Sequence, residues 1–443
     1  MTFTDQHSSS EETSQVTHVE KPAMSTPPPF SAQFLDKSPE ASTARSAYLK
    51  ALFIGTLASS VLIFTVFSIY WGSVWRTPYH PVSGWVVDFD EGVVGQSVSA
   101  SLSGLDAGRG GIAWHVIPAS RFPQGIAQLQ RAVVLEKTWY AVAINVGASS
   151  NLSAAVSTID PSYNSASAVT FMGSEARNEN LYRLQTHIFT AQLEVVANQF
   201  AVQFIKNISS FSNLPILLSA APEIIARPIY YTINNLRPFD TPVATGSTFF
   251  GLIYILIVSF IIVLIGTAAR MSSGLEKRLS FGSLVRLRLG TLFVAFFFIT
   301  LIYTLLSRAF QLPFDRQFGR AGFVVFWMLN YLNMLACGLA LEVMISILTP
   351  RFTPFFLITW IISNVSVAVW PLQVLPHIYR YGYAFPFYNI SRAVRAVVFG
   401  TKNEVGLNAG VLIAWIALSC LTLPLLQWVM RRRLVASQAS RAA

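Results

Sequence analysis

Six stretches of this chain are apolar enough and long enough to cross a membrane, and they decide most of what it can fold into. They cover 51–71, 247–268, 289–306, 321–348, 354–372 and 409–429. A helix needs about 20 mainly apolar residues to cross the hydrocarbon core. Within hydrocarbon the backbone must satisfy its own hydrogen bonds, so such runs are helices. Only the fourth contains a formal charge, Glu342. Composition agrees: 53% of the 443 residues are hydrophobic and 12% are charged, against roughly a quarter charged in a soluble domain. That excludes an ordinary cytosolic enzyme and a disordered protein. The net charge of +10 does not mark a nucleic-acid binder, because 33 Phe and 10 Trp need apolar surroundings. Cys337 and Cys420 both lie in apolar runs, so neither a disulfide framework nor a four-ligand zinc site is expected.

The expected fold is an α-helical multipass membrane protein with six transmembrane helices in a 1+5 arrangement. A large α/β extracytoplasmic domain, 72–246, separates the first helix from the second. Residues 1–48, rich in Ser, Thr, Glu and Pro with Pro27, Pro28 and Pro29 in a row, read as a disordered cytoplasmic tail. The first span, 49–71, then serves as a signal anchor. The fifth and sixth spans enclose an outer loop, 373–407, and a basic tail, 430–443, follows the last.

Orientation is read from Lys and Arg in short segments. Arg45 precedes the first span and Lys50 sits at its start, just before the apolar run 51–71. Arg270, Lys277, Arg278, Arg286 and Arg288 lie between the second and third, and Arg431, Arg432 and Arg433 follow the sixth. Together they place both termini in the cytoplasm, although the outer loops also carry Arg308, Arg316, Arg320, Arg380, Arg392, Arg395 and Lys402. The sequons at Asn151 and Asn207 are then candidate glycan acceptors on the outer side. The short cytoplasmic segments leave no room for a nucleotide-hydrolysing domain. No G-x-x-x-x-G-K-[ST] motif occurs either. The chain is not a self-contained ATP-driven pump.

Within 72–246 the pattern predicts strands at 86–90, 112–117, 139–146 and 166–172. It predicts helices to 105, at 123–136 and over 175–208. The segment 147–151 reads as a turn, and 214–233 as part of the folded domain. Asp88, Asp90 and Glu91 either hold a cation or cap a helix N-terminus, where the dipole favours acids. Capping is the commoner role. The histidines are scattered and no G-x-S-x-G elbow appears, so no enzyme, cofactor or metal is expected.

The last loop is the most distinctive segment. Residues 389–399 have helical spacing, with Arg392 and Arg395 three apart and apolar residues elsewhere. Such a helix suits the membrane interface or a re-entrant element. Tyr379, Tyr381, Tyr383, Phe385, Phe387 and Tyr388 suit the membrane boundary. The pattern Tyr381, Gly382, Tyr383, Ala384, Pro386, Tyr388, Asn389, then Phe399, Gly400, Thr401, then Asn408, Gly410, Val411, Leu412, Trp415 resembles the fungal nitrosoguanidine-resistance membrane protein family. The resemblance covers roughly 45–430. The layout is also similar to phage-infection-type proteins and to the membrane half of type-2 ABC exporters.

The resemblance implies resistance to toxic compounds by efflux, or plasma-membrane lipid homeostasis, and carries over no catalytic residues. Its implied partners are membrane lipids, hydrophobic or cationic small molecules and a membrane protein, with no nucleic acid. The plasma membrane is the expected location, with the endoplasmic reticulum or the vacuolar membrane as the alternative. A second function is a non-transporting regulator that senses or organises lipids or partner proteins. Glu342, Tyr381, Pro386, Asn389, Arg392 and Arg395 are the candidate functional residues. Glu342 stands on its own as an intramembrane acid, a type that often marks a transport path. It also lies near the inner end of its span, where headgroups would reach it.

Overall fold

The computed structural model describes residues 33–442. The triple proline and most of the expected disordered tail lie outside them. The first helix, α1 (Pro39–Leu62), starts ten residues before the expected span. Pro39 opens it, where a missing N–H costs nothing, and the Ser38 hydroxyl accepts from the Ala41 N–H at 3.2 Å. The segment 39–48 is therefore helical rather than tail. The side chains of Leu52, Phe53, Ile54 and Leu57 on α1 are exposed, as suits a helix whose solvent is lipid.

Residues 62–443 form one compact unit. It begins with a π-helical turn, Ile63–Phe67, and α2 (Ser68–Val74). A five-stranded sheet follows, made of β1 (Val82–Asp88), β2 (Ile112–Ile117), β3 (Tyr140–Ile144), β4 (Val169–Gly173) and β5 (Tyr231–Asn235). The strand order is β2-β1-β3-β4-β5, with only the β3–β4 pair antiparallel. Central β3 is buried throughout, and alternation along a strand sorts its side chains by size. Tyr140, Val142 and Ile144 face one core with α3 (Val93–Ser103), α5 (Ala148–Thr158) and α6 (Glu179–Ile208). Small Ala141 and Ala143 face the other, under α4 (Ile126–Val134).

Helix α5 occupies the place of the expected turn. Gly147, in the left-handed region at φ 77°, turns the chain directly into it. The segment 214–233 breaks at its prolines into α7 (Leu214–Ala220), α8 (Pro222–Ala226) and the start of β5.

The long apolar helices come next: α9 (Gly251–Ser272), short α10 (Leu275–Arg278), α11 (Phe281–Ala309), short α12 (Asp315–Phe318) and α13 (Gly322–Val365). After them come α14 (Pro386–Phe399) and α15 (Val405–Ala442). Among the described residues, five helical stretches are long and apolar enough to cross a membrane. Six were expected. The fourth and fifth apolar runs share the 44-residue α13, whose only non-helical residue is Thr349 at φ 63°, ψ 161°. Thr349 precedes Pro350, and the residue before a proline is steered away from the helical region.

The ring of Phe171, fully buried, stacks on Phe189 with centroids 4.1 Å apart and lies tilted against Tyr140 at 5.4 Å. Replacing a buried Phe by Ala costs about 3–5 kcal/mol. Phe171→Ala should therefore lower the thermal midpoint of the detergent-solubilised protein by several degrees. The exposed control Ile233→Ala should leave it nearly unchanged.

Candidate functional site

An acid in a membrane-spanning helix needs a partner, and Glu342 has two. Arg270 Nη2 of α9 donates to Glu342 Oε1 at 2.9 Å, and Arg288 Nε of α11 donates to the same oxygen at 2.6 Å. The second guanidinium reaches further. Arg288 Nη1 donates to Gln427 Oε1 of α15 at 2.6 Å, and its Nη2 donates to Ser346 Oγ at 2.6 Å and to the Glu342 carbonyl at 3.0 Å. Glu342 has no exposed surface, and Arg270 and Arg288 are 7% and 3% exposed. Four helices thus meet on one charge cluster. Arg270 and Arg288, assigned above to a cytoplasmic loop, are buried in helices. Of the other cations assigned to that loop, Lys277 and Arg278 lie on α10, and Arg286 lies in the second turn of α11 with its Nε donating to the Gly282 carbonyl at 3.2 Å.

The last loop is organised by a second set of ion pairs. Every residue of α14 except Tyr388 and Arg392 is buried. The helix packs against α12, α13 and α15, unlike one lying on a membrane surface. Its two arginines turn to the sheet domain. Arg395 Nη1 donates to Glu179 Oε2 at 2.5 Å and to the Ala176 carbonyl at 3.1 Å. Arg392 Nη2 donates to Glu136 Oε2 at 2.9 Å and to Glu404 Oε2 at 2.6 Å. A third guanidinium, Arg177, lies 3.4 Å from the Trp139 ring centroid and 3.6 Å from Glu136.

Burial pushes Arg177 down to about 10, against the attraction of Glu136. Burial also acts against the charge on Glu179, but Arg395 outweighs it and the carboxyl stays below the usual glutamate range. Arg392 is likewise opposed by burial, yet Glu136 and Tyr388 hold it above the usual arginine range.

The distinctive tyrosine, glycine and asparagine pattern builds the entry to α14. Tyr381 Oη donates to the Ser363 carbonyl at 3.0 Å. Asn389 Nδ2 donates to the carbonyls of Tyr383 and Phe385, both at 2.9 Å. Pro386 sits in the first turn, where it needs no hydrogen-bond donor. Asn364 of α13 caps the helix by accepting from the Phe387 N–H at 3.1 Å. Trp415 Nε1 donates to the Ala384 carbonyl at 2.7 Å. A Cβ on Gly382 would stand 2.7 Å from Val367, so the close approach needs glycine. At the other end Gly400 closes α14 at φ 66°, and its carbonyl accepts from Arg237 Nε at 2.8 Å.

Glu342 and the last-loop residues thus belong to separate clusters. Sequence reasoning missed Glu136, Glu179, Arg177, Arg270, Arg288 and Gln427. The available signal was the need of a buried charge for its opposite. Asp88 and Asp90 hold helix and turn backbone. The Asp88 carboxylate accepts from the N–H groups of Asp90 and Glu91 at 2.9 and 3.0 Å, and Asp90 accepts from the Ser149 N–H at 2.9 Å. Among the described residues, no group of three or more His, Cys, Asp and Glu could hold a metal. Asn151 and Asn207 are exposed, one in the first turn of α5 and one near the end of α6.

Membrane-length apolar helices whose internal charges are paired with one another define an integral membrane protein. Residues 56–421 match the family described as "Protein of unknown function (DUF3533)", and the chain belongs to that family. It is 26% identical over 438 residues to an uncharacterized endoplasmic reticulum membrane protein of Saccharomyces cerevisiae, with 90% of this chain and 83% of the relative covered. No solved structure matches.

Removing one partner of a buried ion pair costs about 3–5 kcal/mol. Arg395→Ala should therefore destabilise the protein strongly, and the double change Arg395→Met with Glu179→Leu should recover most of the loss, read as thermal midpoints. Because Glu179 is depressed in the folded state, its contribution is present above the ordinary glutamate value of 4.5 and fades as pH falls below it. Wild type should lose midpoint more steeply than the double variant as pH falls through that range.

Proposed function

We propose that the chain is a permease-like integral membrane protein with six spans. It contributes to resistance to toxic compounds by efflux, or to lipid homeostasis, without an ATPase of its own and without enzymatic chemistry. The sixth span comes from dividing α13 at Thr349, the one non-helical residue in its 44. The sheet domain then lies outside the cytoplasm and both termini inside it. Membrane lipids and hydrophobic or cationic small molecules are its ligands, and a membrane protein partner or an ion gradient supplies energy.

The observation that supports this reading is the grip of Glu136 and Glu179 on α14. Because α14 packs on α13 and α15, whatever the sheet domain binds acts directly on the spans. The resemblance of the last loop to the nitrosoguanidine-resistance family points the same way. A second reading, a non-transporting regulator, is favoured by Glu342, whose carboxylate ties helices together through Arg270 and Arg288. The yeast relative is an endoplasmic reticulum membrane protein, and that membrane is the proposed location, with the plasma membrane as the alternative from the resemblance.

Purified protein in liposomes should move a fluorescent lipid or a cationic dye under a proton gradient. No movement, together with a stable partner in pull-downs, would leave the regulator. Glu342→Gln separates two roles: lost movement at an unchanged thermal midpoint means coupling, whereas a lowered midpoint means a structural tie. The proposed topology has its own check. Asn151→Gln and Asn207→Gln should each remove one glycosidase-sensitive gel shift, and the absence of any such shift in wild type would count against an outer sheet domain.

A further inference from the structure

We propose that the cavity beside the Glu342 cluster binds the phosphate of a glycerophospholipid in the leaflet away from the sheet domain. The cavity holds about 170 Å³ and is lined by Arg270, Arg288, Ser346, Thr349, Gln427 and Met430 among others.

Depth is the first argument. Arg270 lies 19 residues beyond the start of α9 and Glu342 lies 20 beyond the start of α13. At 1.5 Å per residue each is about 30 Å along its helix, close to the thickness of the hydrocarbon core. The cluster therefore stands at the level of the far headgroups, where phosphodiesters are concentrated.

Charge is the second. Two buried guanidiniums share one carboxylate, which leaves a surplus cation out of water, a costly state unless an anion joins it. Arg270 Nε is buried with no hydrogen-bond partner and belongs to a residue on the cavity wall. Glu276 also lines the cavity, from α10 beyond the end of α9. It is only half-buried, so water screens it more than the arginines. Arginine also offers several donors in a fixed fork that matches a phosphate.

The third argument is shape. Next to the polar wall stand Met271, Ile345, Pro350 and Met430, an apolar surface suited to the upper part of an acyl chain. The break in α13 at Thr349, next to Pro350, lies on this wall.

The site rests on the membrane-spanning reading but not on transport. The test is the thermal midpoint of full-length protein in a phospholipid-free detergent. Dioleoyl-phosphatidylglycerol should raise it by several degrees, and dioleoylglycerol, with the same tails and no phosphate, should not. Met430→Trp, which fills the cavity and leaves the ion pairs intact, should weaken half-saturation by the lipid at least tenfold. Native mass spectrometry should count one tightly held phospholipid on wild type and none on Met430→Trp, a readout independent of that variant's own stability. Equal shifts from dioleoylglycerol, or an unaltered response in Met430→Trp, would overturn the site. A full shift from inorganic phosphate alone would overturn its assignment to lipid. Failure of the liposome assay with a lipid shift intact would reject transport and leave this site standing.

Discussion

A charge buried among apolar helices has to be met by an opposite charge from another part of the chain. The fold of this protein is arranged around two such meetings. At one end of the bundle Glu342 draws Arg270, Arg288 and, through Arg288, Gln427 into a single cluster. Those residues sit on α9, α11, α13 and α15, so the cluster fixes how four helices align along their axes. Apolar packing alone defines alignment loosely between helices in lipid, because lipid tails compete equally well for apolar surface.

At the other end, Arg392 and Arg395 hold α14 against the sheet domain. The two acids that receive them come from different places in that domain: Glu136 follows α4, and Glu179 opens α6. Glu179 is favoured there a second time, since the first turn of a helix stabilises negative charge. Phe239 adds an apolar contact, its ring 4.7 Å from that of Phe399. The tyrosines and asparagines of the last loop complete the junction by satisfying backbone groups at the entry to α14. Their side chains build a tightly enclosed turn.

The fold was more legible in the sequence than the site. The apolar runs marked every helix long and apolar enough to cross a membrane among the described residues, since composition alone drives a segment out of water. Strands such as Tyr140–Ile144 could be read from a short apolar run. The α5 turn-or-helix question could not, because Ala148–Thr158 is rich in Ser, Thr and Ala and has little amphipathic pattern of its own. Nor could β5, whose Thr232, Asn234 and Asn235 look like loop until β4 pairs with them. Of the site, Glu342, Arg392 and Arg395 stood out as charges in apolar surroundings. Their partners did not, because Arg270 and Arg288 flank apolar runs and look like ordinary loop cations.

By itself the sequence determined that this is a membrane protein with long apolar helices, an α/β domain between the first and second, and a few charges too deep to be free. Those are local properties, set by composition and period within a window of about 20 residues. The tertiary structure alone decided which cation meets which acid, that α14 lies inside protein rather than on a membrane surface, and that the fourth and fifth apolar runs share one helix broken at Thr349. The ion pairs at Glu342 and between α14 and the sheet domain join residues 54 to 256 positions apart. No local pattern encodes them.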